Sequence, residues 1–231
     1  MMTSTLPDAF SGELWIRRFA DSARATEPQL TSLDQQVGDG DFGTNLVLGT
    51  SAALTRLGAL TEPDDSAALD AAATAFLDEV GGTSGPLFGL LLQSLATAVA
   101  PSGATATALA VGVTDGLAAI RRVGDASPGD KTLVDALAPA AEALRTASGT
   151  SGTGPALADA ARAAWRGVRE TARLRASMGR SSYLGERAEG IPDPGAVGVA
   201  LLFASASDVV RDIEPHLDGD RPGESPVQAA L

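Results

Sequence analysis

Asp34, Asp39 and Asp41 fall within eight residues of one another in the run Leu-Asp-Gln-Gln-Val-Gly-Asp-Gly-Asp-Phe-Gly-Thr-Asn-Leu, residues 33–46. Gly38, Gly40 and Gly43 separate and follow them, so the backbone is able to take positive φ and draw the carboxylates together. Clustered carboxylates repel, and a hard divalent cation removes that penalty. Mg²⁺ takes one or two carboxylates, keeps waters and fills its other positions with phosphate oxygens, and a helix opening at Thr44-Asn45 would turn its N-terminus toward a phosphate. Taken alone, an Asp-Gly-Asp is more commonly a solvated acidic turn.

Two sharper readings of this run fail. The three glycines match G-x-G-x-x-G in spacing, but Asp34-Gln35-Gln36 is a poor strand end and aspartates at the variable positions would repel a pyrophosphate. An EF-hand loop counted from Asp39 would need glutamate where Thr50 stands.

The elements that must position this run read as helices. Trp15, Ile16, Phe19, Ala20 and Ala23 recur at helical spacing, predicting a helix over residues 8–25 with Trp15 in the core. After Pro28 a separate short helix to about Gln36 would deliver Asp34. Further helices are expected over 44–57, from about 65 to 80, 87–99, 104–122, around Leu133–Leu144, and through Leu157–Val168. A last one should run from Pro194 or Gly195 to about Ile213, with Asp193 as its cap.

A second helix start, Gly-Gly-Thr-Ser-Gly-Pro from residue 81, carries Thr83 and Ser84. Their hydroxyls serve either as ordinary caps or, with neighbouring amides, as ligands for phosphate oxygens. Lys131 is the only lysine in the chain; with no Walker-type loop around it, a solvated loop position is expected. Arg162, Arg166, Arg169, Arg173 and Arg175 suit a solvated helix face with local ion pairs. The glycine- and proline-rich stretch after Gly179 holds Arg180 and Tyr183, suited to phosphate or a base ring. His216, the only histidine, is expected at the surface of a polar tail.

Composition narrows the classes. A chain of 231 residues fits one domain; 44% apolar but only 4% aromatic residues, with alanine abundant, favours closely packed helices, an all-α fold. The net charge of −12 argues against nucleic acid as a partner. There is no cysteine for a disulfide or a thiol nucleophile, no leader-like N-terminus and no apolar run near the roughly 18 residues of a membrane span, so a cytoplasmic location and no membrane association are expected.

Four separated segments then acquire a common meaning. Gly-Asp-Gly-Asp-x-Gly-x-Asn, Gly-Gly-Thr-Ser-Gly-Pro-Leu, Gly-Asp-Lys-Thr-Leu-x-Asp-Ala-Leu and Tyr-Leu-Gly-Glu-Arg followed by Asp-Pro-Gly-Ala occur in this order. Together they resemble the nucleotide-binding L subunit of bacterial dihydroxyacetone kinase, equivalently the C-terminal domain of single-chain dihydroxyacetone kinases. The resemblance runs from about Trp15 to Ile213.

The resemblance implies a closed barrel of about eight antiparallel amphipathic helices with a nucleotide site at one end, spanning residues 1–215 and followed by a tail over 216–231. It implies two Mg²⁺ ions on Asp34, Asp39 and Asp41, and ADP or ATP contacted by Phe42, Gly43, Thr44, Asn45, Thr83 and Ser84. Gly124 and Leu133 would lie against adenine or ribose, with Arg180, Asp193, Pro194 and Gly195 closing the pocket. No side chain is assigned a catalytic role, because phosphoryl transfer depends mainly on positioning and metal-ion charge.

The implied activity is transfer from Mg-ATP to dihydroxyacetone held by a separate K subunit, or from ADP rephosphorylated by a phosphohistidine donor protein of the phosphotransferase system. A kinase subunit for another short ketose or a protein-bound fatty acid, and a non-catalytic ADP/ATP-binding regulatory module, are the alternatives; a homodimer is compatible with each. Phe42 departs from the family, which commonly has histidine there, and phenylalanine has no hydrogen bond or charge to offer a phosphate.

Overall fold

The computed structural model describes residues 10–178, 181–182 and 188–218. The described residues form helices and loops without strands: α1 (Gly12–Val37), α2 (Phe42–Gly58), α3 (Asp65–Glu79), α4 (Ser84–Val99), α5 (Ala106–Gly124), α6 (Val134–Ala147), α7 (Thr153–Thr171), α8 (Pro194–Ala204) and the short α9 (Glu214–Leu217). Each of the first seven packs on its successor, and α8 returns to α1, so the ring of eight closes. Trp15 Nε1 donates to the Leu202 carbonyl at 2.6 Å and the Ser22 and Ser205 hydroxyls meet at 2.8 Å, fastening that seam.

The two helices expected on either side of Pro28 are one, α1, with Pro28 inside it. An interior proline costs about 3 kcal/mol, but Phe19, Ala23, Leu30 and Leu33 present one continuous buried face across it, which holds both halves in line. The last long helix ends at Ala204 instead of near Ile213. Ser205, Ser207 and Asp208 follow, polar side chains that compete for backbone groups. Asp208 accepts from Val209 N–H at 2.7 Å and Ser22 Oγ from Val210 N–H at 2.9 Å, so the chain turns back over α1.

Trp15 is buried, and Phe88 sits among Phe19, Phe42 and Phe76 with ring centroids 5.6–6.4 Å away. Helix α8, apolar on every side, is buried along nearly its whole length against α1, α2, α6 and α7. His216 is half-buried instead of free at the surface, its ring stacked on Trp165 at 4.5 Å. The arginine face of α7 does pair locally, Arg162 with Asp159 and Arg173 with Glu170. No helix among the described residues is long and apolar enough to cross a membrane.

Alternation of short connections sends the loops to two ends. At one end Asp65 accepts from the Gly12 amide at 2.7 Å and the Ala104 amide at 3.3 Å, and Thr153 donates to the Ala104 carbonyl at 2.9 Å. The α1–α2, α3–α4, α5–α6 and α7–α8 connections gather at the other, around an open cleft.

Candidate functional site

Helix α1 carries Asp34 to the floor of this cleft on its last turn. The residue is 8% exposed, and its Oδ2 accepts from the Phe42 amide at 3.0 Å, tying the end of α1 to the start of α2. A Cβ on Gly38 would stand 2.2 Å from Asp34 Oδ1, and Gly40 sits at φ +80°, so the turn between the helices requires glycine at both places. One carboxylate oxygen each from Asp34, Asp39 and Asp41 comes within 4.8 Å of the others, with Asp34 buried and the other two exposed. Oxygen donors at this spacing suit a hard cation such as Mg²⁺, whose octahedral shell would leave positions for water and phosphate.

The α3–α4 connection forms the adjoining wall. Gly82 takes φ +71°, and Thr83 stands at the N-cap of α4 without a capping hydrogen bond from its side chain. Asp41 likewise occupies the N-cap of α2 without capping it. At the start of α4 this leaves first-turn amides for an external acceptor, whereas at the start of α2 the Phe42 amide is already taken by Asp34.

The third wall is built around a residue expected in solvent. Lys131 is 1% exposed, with φ +60°. Its ammonium donates to the carbonyls of Thr171 at 2.5 Å and Ile191 at 2.6 Å. Burial lowers its pKa, opposed by the charges of Asp193, Glu189 and Asp135. Around it Asp135 accepts from the amides of Gly129 at 2.5 Å and Thr132 at 2.8 Å, while Val134 N–H donates to Thr132 Oγ1 at 3.2 Å. The Asp135 carboxylate returning to the Thr132 amide is the acidic half of a capping box, legible as Thr-x-x-Asp in the sequence; the partners that bury Lys131 are 40 and 60 residues away and leave no local signal.

Asp193 caps α8, accepting from the Ala196 amide at 2.7 Å, and its own amide donates to Thr171 Oγ1 at 2.9 Å. The residue shows an edge to the cleft but is enclosed elsewhere. Burial pushes its carboxyl up to about 7 against the Ala196 hydrogen bond and the Lys131 charge, with Asp135 and Asp34 adding to the rise.

The cleft, with a volume of about 240 Å³, brings together most of the expected set: Asp34, Asp39, Asp41, Phe42 and Asn45 from the first connection, Thr83 and Ser84 from the second, Gly124 and Leu133 from the third, and Asp193, Pro194 and Gly195 from the fourth. Gly43 and Thr44 face elsewhere. A Cβ on Gly43 would lie 2.6 Å from the Glu27 carbonyl, and the Thr44 hydroxyl donates to Glu27 at 3.4 Å, so both serve the α1–α2 contact. Arg180 and Tyr183 lie outside the described residues.

Phe42 reaches the cleft mainly through its backbone: the side chain is 6% exposed and tilts against Phe88, at a place where Gly198 leaves room for it. Ile120, Ala126 and Met178, not singled out beforehand, add apolar lining near Leu133. The arrangement thus has an acidic, cation-competent end and an apolar end, the division a phosphorylated ligand with a flat apolar body requires.

The chain is similar to known proteins along most of its length. Chain-wide similarity is found with the ADP-binding subunit DhaL of the PEP-dependent dihydroxyacetone kinase of Escherichia coli, 36% identical over 82% of this chain and 91% of that one. The corresponding subunit of a PTS-dependent enzyme of Lactococcus lactis is 31% identical over 85% and 95%. A D-erythrulose kinase of Mycolicibacterium smegmatis is 38% identical over 83% of this chain, which spans about a third of that protein's length, 34%. The fold is similar to that of the dihydroxyacetone kinase from C. freundii, solved in complex with AMP-PNP and Mg²⁺, at a TM-score of 0.60 and 23% identity over 89% of this chain and 35% of that one. Since the DAK2 domain model also matches residues 36–208, from the turn that gathers the carboxylates to the end of α8, the chain belongs to the DAK2 domain family.

Proposed function

We propose that this chain is the nucleotide-binding subunit of a dihydroxyacetone kinase, holding ADP or ATP in the cleft and delivering a phosphoryl group to dihydroxyacetone presented by a separate K subunit. The observation that carries this reading is the convergence of Asp34, Asp39 and Asp41 beside the uncapped start of α4. These aspartates would hold two Mg²⁺ ions, whose charge would offset that of the phosphate oxygens.

The chain's own residues supply position. Asp34 is held by the Phe42 amide, so one carboxylate is fixed before any ligand arrives. Thr83, Ser84 and the first amides of α4 orient phosphate oxygens, and Leu133 with Pro194 and Gly195 confines the base and ribose. The Phe42 ring, turned into the core, gives the phosphates nothing; transfer rests on the metal end and on the partner. The unit responsible is residues 1–215.

Two relatives named as PEP-dependent and PTS-dependent support a donor in which bound ADP is rephosphorylated by a phosphohistidine protein. Relatives named D-erythrulose kinase and L-erythrulose 1-kinase, 38% and 36% identical, favour a four-carbon ketose as a second acceptor. The deciding experiment combines this chain with K subunits and offers dihydroxyacetone or erythrulose, with Mg-ATP or with phosphoenolpyruvate and the phosphotransferase proteins. Phosphorylated ketose in one arm is expected. Mg-dependent nucleotide binding with no product in any arm would leave a regulatory binding module.

A further inference from the structure

Lys131 is the one buried ammonium among the described residues, and nothing in the phosphate chemistry above uses it. Its position accounts for its burial. Thr171 is the last residue of α7, so its carbonyl belongs to the set that a helix C-terminus leaves without an intrahelical partner, at the negative end of the dipole. Ile191 lies two residues before Asp193, in the segment that leads into α8. One ammonium therefore joins the loop before α6, the end of α7 and the approach to α8, the three segments that carry Leu133, Met178 and Pro194 to the apolar end of the cleft.

Neighbouring bonds extend the same clasp. Ser177 Oγ donates to Asp130 at 2.5 Å and its amide to the Asp130 carbonyl at 3.3 Å, while Asp193 N–H reaches Thr171 Oγ1. At the acidic end Asp34 is held by the Phe42 amide within the α1–α2 turn, and the two carbonyls to which Lys131 donates lie outside both of those helices.

We propose that Lys131 is a positioning residue for the nucleoside half of the ligand, clamping the walls that receive base and ribose while leaving the metal-phosphate end untouched. The proposal rests on the nucleotide reading above. Lys131→Met keeps the length and removes the donors, leaving two buried carbonyls without a partner. Thr171→Val removes the Asp193 link and the hydroxyl's own bond to the Val168 carbonyl but keeps the Thr171 carbonyl for Lys131, and is the milder variant should the first fail to fold.

Calorimetry of each variant with Mg-ATP and with Mg-tripolyphosphate separates the two ends, and amide hydrogen exchange at Asp193 and at Gly190, whose N–H donates to the Ala172 carbonyl just after α7 at 2.7 Å, reads the clamp without ligand. In Lys131→Met, Mg-ATP affinity is expected to fall by about tenfold or more through lost preorganisation, with tripolyphosphate changed by less than about twofold and exchange at both amides accelerated. Thr171→Val should lose less, in the same direction. Unchanged Mg-ATP affinity, or an equal loss for both ligands in either folded variant, overturns the proposal. Wild-type protein that binds tripolyphosphate but not Mg-ATP would instead overturn the nucleotide reading, and the clamp's role with it, while the exchange data stand apart.

Discussion

The two ends of the helical ring treat the same kinds of group in opposite ways. At the closed end Ser11, Asp64 and Thr105 cap α1, α3 and α5 with their side chains, and Asp65 spends both carboxylate oxygens on the amides of Gly12 and Ala104. At the cleft end Asp41 and Thr83 occupy N-caps they do not cap, and Asp39 and Asp41 are exposed beside a buried Asp34. Polar groups consumed internally stabilise the fold, whereas polar groups aimed into a shared concavity are available to a ligand. Around the α1–α2 and α3–α4 connections the end of the ring separates the two uses, while on the other side of the cleft Asp135 and Asp193 still bond backbone amides.

The strongest way to break this contrast is at the carboxylates. Replacing Asp39 and Asp41 together by alanine should abolish Mg-dependent nucleotide binding, a loss of more than about a hundredfold in calorimetry for two charge-bearing ligands, while circular dichroism stays helical. Relief of mutual repulsion should leave apo stability unchanged or higher. Retained tight binding would remove the metal assignment.

Asp65→Ala should show the reverse pattern. It strands two amides at the closed end, so urea denaturation should report a loss of about 1–3 kcal/mol with nucleotide affinity intact. The paired threonines refine this: Thr105→Ala should cost about 1 kcal/mol of stability as a lost cap, whereas Thr83→Ala should cost less than about 0.5 kcal/mol and instead weaken nucleotide binding a few-fold. Equal stability losses for both would erase the distinction between the ends.

The smallest effect is a pH slope. With its carboxyl raised to about 7, folded apo protein keeps a proton on Asp193 that the unfolded chain releases near 3.8. Between those values the folded state binds more protons, so this group's contribution to stability is full below about 3.8 and is lost as pH rises through 7. Asp193→Asn, which keeps an oxygen for the Ala196 amide, should flatten the fall in melting temperature over that window. An unaltered slope would show that Asp193 is not its source.

Much of the site could be read locally. The acidic turn was legible because its carboxylates and glycines lie within one short run, where spacing alone dictates proximity and backbone freedom. Thr83 and Ser84 were legible as a helix start, but whether they cap could not be read, since the cap geometry is set by how Val80 leaves α3. The continuity of α1 through Pro28 was hidden because local rules assign proline a cost, and only the tertiary face shows what outweighs it. Phe42 could be flagged as a residue without a polar head, but not as a ring packed between Phe88 and Gly198, since those partners come from α4 and α8.

By itself the sequence determined the all-helical class, through alanine-rich 3.6-residue periodicity, and the metal-competent turn, through covalent spacing. Tertiary structure alone decided that four distant connections share one cleft, because the alternation of eight packed helices sends every second loop to the same end. It also decided the fate of Lys131. Whether an ammonium stays in water or goes inside depends on acceptors that can replace its hydration, and here those acceptors are the carbonyls of Thr171 and Ile191, brought to it by the packing of α6, α7 and α8 on one another.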